Sequence, residues 1–194
     1  MTRSAFATFL CATGLVAAFA IAPNAALAQT APAAAPSLAE RIINTPRPDA
    51  LHIRGITPKP RVHDEPGVQG GKALRITTPA DAPNAWTVLA SSRIAKPVAA
   101  GDQLVLAFWG RLIEAEGGDE TIILPSNAIR RSAAPYGAVI NGRAELDREW
   151  ALHEVRGVAD RDYAAGELLG VLHLSSGQHT LDLGPVFILN LGPE

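Results

Sequence analysis

The 194-residue sequence has almost no cysteine: Cys11 is its one thiol, and it stands inside an apolar N-terminal stretch. A lipoprotein site needs a small residue directly before the cysteine, at the end of the apolar run. Here Leu10 precedes it, and apolar character continues past it to Ala22. Downstream of that stretch no disulfide, thiolate nucleophile or cysteine metal ligand is available, so stability has to come from core burial. Concentrated positive charge is missing as well. Formal net charge is −2, and no Lys/Arg cluster exceeds Arg130-Arg131, which excludes the basic stripe that a nucleic-acid partner requires. After residue 50 there is neither a sustained helical period nor an apolar run long enough to span a membrane.

What is present begins with an export signal. Arg3 supplies a short positive region, Ala5 to Ala22 is apolar, and Pro23-Asn24 breaks the run. Ala26-Leu27-Ala28 then matches the small-x-small cleavage pattern, placing the new N-terminus at Gln29. An uncleaved anchor is the competing reading, but the run barely spans a bilayer and Ala, Thr and Gly weaken it. Residues 1–28 are thus expected to be a signal peptide, with the mature protein periplasmic or secreted. Residues 29–50 form an Ala/Pro-rich linker or arm, in which Ser37 and Glu40 have capping-box spacing for a short helical turn. The domain proper is expected over 51–194.

That domain reads as all-β. Lys72 to Thr78 alternates, with Leu74 and Ile76 inward and Arg75 and Thr77 outward. Further strands are expected over Trp86–Ile94, Gln103–Leu112, Glu149–Val158, Leu168–Ser175, His179–Leu183 and Val186–Leu191, with Ser176-Gly177 as a hairpin-type turn. Glu114–Leu146 reads as loop-rich, because Gly117-Gly118-Asp119, Pro125, Pro135 and Asn141-Gly142 punctuate it. Recurring strands without helices predict an antiparallel two-sheet β-sandwich.

Local catalytic motifs are absent. His52, His63, His153, His173 and His179 show no HxH, HxxxH or HExxH spacing, and there is no GxSxG elbow. A triad assembled from separate strands is recognised by geometry alone and stays open as a third reading. Gly117-Gly118-Asp119-Glu120 resembles the signature core of nucleotide cyclases, but in an exported β-rich chain it reads as an acidic turn. Glu114, Glu116, Asp119 and Glu120 offer oxygen ligands for calcium; a solvated loop is the plainer reading, since no EF-hand order is present.

The aromatic residues point further. Trp86, Trp109, Tyr136 and Trp150 lie in or beside the expected strands or their loops. Sugar rings stack C–H faces on aromatic faces and present hydroxyls to planar multi-donor groups. On the strand from Gln103, Leu104, Leu106 and Phe108 share one face, and Val105, Ala107, Trp109 and Arg111 share the other. Trp109 beside Arg111 would make a stacking platform next to a hydrogen-bonding fork; a tryptophan buried in the sandwich is the alternative. Trp150, at a strand entry, reads as structural.

The stretch WTVLASSRIAKPVAAGDQLVLAFWGRL, Trp86 to Leu112, resembles carbohydrate-binding modules of families 4 and 9: a Trp-led strand, a PV-x-x-GD turn, and a strand ending Phe-Trp-x-Arg. Trp150, His153 and Val155, and the closing GQHTLDLGPVFILNLG from Gly177 to Gly192, resemble the later strands of those modules. The resemblance implies a galactose-binding-like jelly roll that recognises a polysaccharide or oligosaccharide in a groove, accompanying secreted glycoside hydrolases and not itself catalytic. In that reading Trp86 and Trp109 stack on sugar, Arg111 forks onto hydroxyls, and Tyr136 closes the groove. The family often carries a structural calcium held by an acidic residue of the last strand. Here Leu183-Gly184-Pro185 occupies that place and Asp182 falls one position off, so calcium is not required. A periplasmic interaction or structural domain without a sugar site is the alternative.

Export predicts a mature N-terminus at Gln29, a chain of 194 − 28 = 166 residues, and no titratable thiol. Intact mass and thiol titration of the exported protein test this; a species that retains Cys11 contradicts it.

Overall fold

The computed structural model describes residues 36–193. The expected signal peptide lies outside them. Ten strands follow in chain order: β1 (His52–Arg54), β2 (Val62–Asp64), β3 (Lys72–Thr77), β4 (Leu89–Arg93), β5 (Gln103–Ala115), β6 (Ile122–Arg131), β7 (Ala138–Leu146), β8 (Ala151–Val158), β9 (Leu168–His173) and β10 (His179–Asn190). They form two five-stranded antiparallel sheets: sheet I, ordered β1-β4-β9-β6-β7, and sheet II, ordered β2-β3-β10-β5-β8. This is the expected β-sandwich of jelly-roll type. No helix of the described residues is long and apolar enough to cross a membrane.

Alternation along the strands builds the core. Leu104, Leu106 and Phe108 of β5 and Leu181, Leu183, Val186 and Ile188 of β10 point inward, against Leu124 and Ile129 of β6 and Leu168 and Leu172 of β9. Each such buried side chain stabilises the fold by about 1.5–3 kcal/mol relative to exposure. The sheets approach closely where glycine permits it. A Cβ on Gly170 of β9 would fall 2.5 Å from Ile188 Cδ1 of β10.

The helical turn expected after Ser37 is α1 (Leu38–Arg41), with Ser37 N donating to Glu40 Oε2 at 2.6 Å. The chain then stitches onto the sandwich. Ile43 N donates to Ile188 O, and Asn44 Nδ2 donates to Ser92 Oγ of sheet I and Val186 O of sheet II, each at 2.8 Å.

Four expectations are corrected. The stretch Glu114–Leu146 holds two long strands, β6 and β7, and the end of β5. Pro125 is accommodated because the register shifts between Leu124 and Asn127, leaving a position that needs no ladder donor. Asn141-Gly142 is not a turn: it lies within β7, where Gly142 pairs with Asn127 of β6, and a Cβ there would lie 2.9 Å from Val155 Cγ2, so close packing requires the glycine. Second, His179–Leu183 and Val186–Leu191 are one strand, β10, with a register shift spanning Gly184-Pro185. Third, Ser176-Gly177 joins β9 of sheet I to β10 of sheet II, so it closes no hairpin. Fourth, Trp86 precedes β4 in a turn, and the strand begins at Leu89.

Gly55 anchors that turn. Its φ is +89°, and a Cβ would land 1.7 Å from the Thr87 carbonyl oxygen, a backbone atom that cannot step aside. Gly55→Ala is expected to cost about 3 kcal/mol in urea unfolding, from strain and overpacking together. A loss below about 0.5 kcal/mol, within the range of ordinary surface substitutions, contradicts this role.

Candidate functional site

Two outer faces compete as the site. On sheet II, Val105, Ala107, Trp109 and Arg111 do share a face. Val105 and Ala107 are buried with Leu189 under Ile42, Phe187 and Leu191. Trp109 is half-buried, its Nε1 donating to Gln69 Oε1 at 3.1 Å and its Cβ packed against Gly184. Arg111 is committed to the protein: Nη2 donates to Glu65 Oε2 at 2.6 Å and to Asp182 Oδ2 at 2.9 Å, and the guanidinium lies 4.8 Å from the Trp150 ring centroid. Asp182, fully buried, also accepts from Arg75 Nε and Nη2, both at 2.9 Å. Burial pushes the Asp182 carboxyl up; hydrogen bonds from Arg75 and Arg111 outweigh it, and the net direction is down. Arg111 therefore has no open fork for hydroxyls. The network gathers part-exposed guanidinium groups around one fully buried carboxylate and belongs to the architecture of this face.

The same network bears on metal binding. His63 Nε2 lies 3.7 Å from Asp182 Oδ2 and 4.0 Å from Glu65 Oε2, and ligand atoms of the three residues lie within 4.8 Å of one another. They do not fit calcium, which takes about 6–8 oxygen ligands: two carboxylates already neutralised by Arg75 and Arg111, plus an imidazole, are too few and too cationic a set. In the acidic turn Glu120 is paired with Arg148 at 2.8 Å, and Glu114, Glu116 and Asp119 are exposed.

Sheet I presents a different surface. A cleft of about 660 Å³ is lined by Trp86, Tyr136, Arg54, Arg130, Leu169 and His173, with Gly55, Thr87, Leu89 and Ser132 completing it. Both aromatics are open to solvent, Trp86 by 60% and Tyr136 by 54%. Trp86 stands edge-on to His173, with ring centroids 6.5 Å apart and planes at 63°. The Arg130 guanidinium lies 5.2 Å from the Tyr136 ring centroid. Strand register separates the backbone positions of Arg130 and His173. Arg130 is opposite Leu169 on β9, four residues from His173, or roughly 13 Å along the strand. Between those positions Ser91, Val171 and Ala128 lie side by side across β4, β9 and β6, with Val171 and Ala128 buried. His173 is held below the ordinary imidazole pKa, first by burial and then by the Arg130 charge, so it faces the cleft neutral at pH 7 with one donor and one acceptor.

The structure thus brings Trp86 and Tyr136 into one cleft and puts Trp109 and Arg111 on the opposite sheet. Sequence reasoning missed Arg54, Arg130 and His173. Arg130 was hidden because β6 was read as loop; once that strand is recognised, alternation places Ala128 and Arg130 on its outer face.

No protein-family model and no curated protein matches the chain. Solved structures do. The fold is that of polysaccharide-binding modules. A CBM4 module superposes with a TM-score of 0.57 at 16% identity, covering 74% of this chain and 96% of the other. The second N-terminal cellulose-binding domain of Cellulomonas fimi β-1,4-glucanase C gives a TM-score of 0.56 at 16% identity, over 77% and 93% of the two chains. The CBM22-1 xylan-binding domain of Paenibacillus barcinonensis Xyn10C gives 0.51 at 15% identity, over 79% and 94%. The expected resemblance to family 4 modules is therefore seen in three dimensions.

Burial also lowers the pKa of His153 and His179, partly offset for His153 by the Gly110 backbone and Asp147, and for His179 by the Leu174 and Gly177 backbones. With His173 they remain neutral in the fold below the pH at which unfolded histidine protonates. The unfolded chain then binds more protons, so stability falls as pH drops from about 6.5, by at most about 1.4 kcal/mol per pH unit for each histidine. The Asp182 contribution is lost only below its unfolded pKa of about 3.8. Urea midpoints at pH 7.5, 6 and 5 test this; no decline between 7.5 and 5 contradicts the histidine environments.

Proposed function

We propose that this protein is an exported, non-catalytic carbohydrate-binding module that holds a polysaccharide or oligosaccharide in the sheet I cleft. The observation that carries the reading is the pair of solvent-open rings, Trp86 and Tyr136, lining one cleft on sheet I. Aromatic faces exposed at this level are not needed for the core, and they match the apolar C–H faces of sugar rings. The Ser132 hydroxyl, the His173 imidazole and the Arg54 and Arg130 guanidinium groups line the same cleft for hydroxyl recognition. The likeness of the fold to xylan- and cellulose-binding domains supports the same assignment. The cleft lining holds no Asp or Glu. Hydrolysis of a glycosidic bond ordinarily uses two carboxylates flanking it, so the lining favours binding over turnover. Trp109 and Arg111 we assign to the architecture of sheet II. Export rests on the N-terminal signal pattern.

Titration calorimetry with xylohexaose and cellohexaose, and depletion assays on insoluble polysaccharides, test the cleft. Trp86→Ala and Tyr136→Ala are each expected to weaken binding about tenfold, which corresponds to about 1.4 kcal/mol for one stacked ring. Trp109→Ala is expected to lower stability with little effect on affinity. Wild-type affinity in a folded Trp86→Ala/Tyr136→Ala double variant excludes this cleft, and loss of binding in a folded Trp109→Ala variant moves the site to sheet II.

A further inference from the structure

The arginines of the two sheets are treated oppositely. On sheet II, Arg75 and Arg111 are paired with Asp182, and Arg156 is paired with Glu154 at 2.6 Å. On the outer face of sheet I stand Arg54 of β1, Arg93 of β4 and Arg130 of β6. Among the described residues none of these three has a salt bridge or a side-chain hydrogen bond. Register places them in order: Arg93 and Arg130 flank Leu169 in one row across three strands, and Arg54 leads the row that runs through Leu89 to His173.

Within the cleft the imbalance is sharper. Arg54 and Arg130 line it, and no carboxylate does. Arg130 Nε is shielded from water and has no hydrogen-bond partner. A shielded donor on a charged group is costly to leave unmatched, and an anionic oxygen matches it best. Exposed arginines alone would say little. Two arginines beside two exposed rings, in a cleft lined by no acid, put uncompensated positive charge where a ligand would lie. A neutral sugar chain laid on this floor would cover Arg130 and leave its charge uncompensated. A carboxylate on the sugar ring accepts two parallel N–H bonds from the guanidinium fork.

We propose that the sheet I cleft selects polysaccharides that carry carboxylate groups, with Arg130 and Arg54 binding the carboxylates while Trp86 and Tyr136 hold the rings. This inference rests on the sugar-binding reading of the same cleft and narrows its ligand class. His173 agrees with it: kept neutral by burial and by Arg130, it adds no further cation and offers its ring nitrogens to hydroxyls.

Matched polymers separate the two claims. Binding of polygalacturonate and of 4-O-methylglucuronoxylan is measured against the carboxyl-reduced form of each, at low and high NaCl. At least one acidic polymer is expected to bind at least tenfold more tightly than its reduced form, with the advantage shrinking as salt screens the charges. Arg130→Gln/Arg54→Gln is expected to bring the acidic polymer down to the level of the reduced one, and Arg130→Lys, which keeps charge but loses the fork, to fall between. Circular dichroism confirms that the variants are folded. Equal affinity for acidic and reduced forms in both pairs overturns the carboxylate inference and leaves sugar binding standing. Dextran sulfate binding as tightly as the acidic glycans, undiminished in Trp86→Ala, overturns it in favour of unspecific polyanion attraction. If no polymer, xylohexaose or cellohexaose binds, both the inference and the reading beneath it fail.

Discussion

The inner faces of β5 and β10 buried against β6 and β9 hold the sandwich together, and the rest of the structure answers to that burial. Because side chains alternate, every residue sent inward sends its neighbours outward. Leu104, Leu106 and Phe108 facing the core require Val105, Ala107 and Trp109 to face away from it. The outer face of sheet II is consequently too apolar to leave bare. The segment through Ile42, with Phe187 and Leu191, covers part of it, and Asp182 gathers Arg75 and Arg111 over another part. A face used in this way for self-assembly offers little to a ligand. Sheet I is treated differently: its outward residues along β4 and β9 mix Leu89, Leu169 and Val171 with Ser91, Arg93 and His173, and Trp86 and Tyr136 stand open to solvent beside them.

Electrostatics follows the same division. A guanidinium next to a buried carboxylate is part of the scaffold; a guanidinium with no acid in reach is available to a partner. Sequence position does not distinguish them. Arg111 and Arg130 both lie on long strands beside aromatic residues, and each has its guanidinium near a ring, Trp150 for one and Tyr136 for the other. Only the location of the acids separates their roles. Glu65 and Asp182 come from β10 and the segment after β2, distant in the chain and brought together by pairing on either side of β3.

Much of the architecture could be read directly. The alternation in β3 and β5, and the apolar runs of β9 and β10, announced a sandwich, and Leu74, Ile76, Leu104, Leu106 and Phe108 do face its core. The strands β6 and β7 escaped notice for a physical reason. Pro125 and Asn141-Gly142 are turn-formers in isolation, yet here one sits in a register shift and the other packs against Val155. Local propensity cannot foresee a glycine demanded by a neighbouring sheet. That single misreading also hid Arg130, and with it half of the cleft. Trp109 and Arg111 looked like a site because their face was right; what the sequence could not reveal was that Gln69, Glu65 and Asp182 would claim their polar atoms. Trp86 and Tyr136, selected as aromatics in or beside the strands, are the two that share an open surface.

The two rings reach one cleft from separate turns, Trp86 before β4 and Tyr136 between β6 and β7. On the proposed sugar-binding reading, a saccharide too short to reach both can rest on only one of them. A longer chain already held at Trp86 meets Tyr136 as a tethered neighbour, at an effective concentration fixed by its own stiffness and not by what is free in solution. Since the floor beneath is paired β-structure, little backbone freedom has to be surrendered when the second contact forms. On that reading affinity rises with chain length, and polymer is told from fragment before any chemical group on the sugar is read.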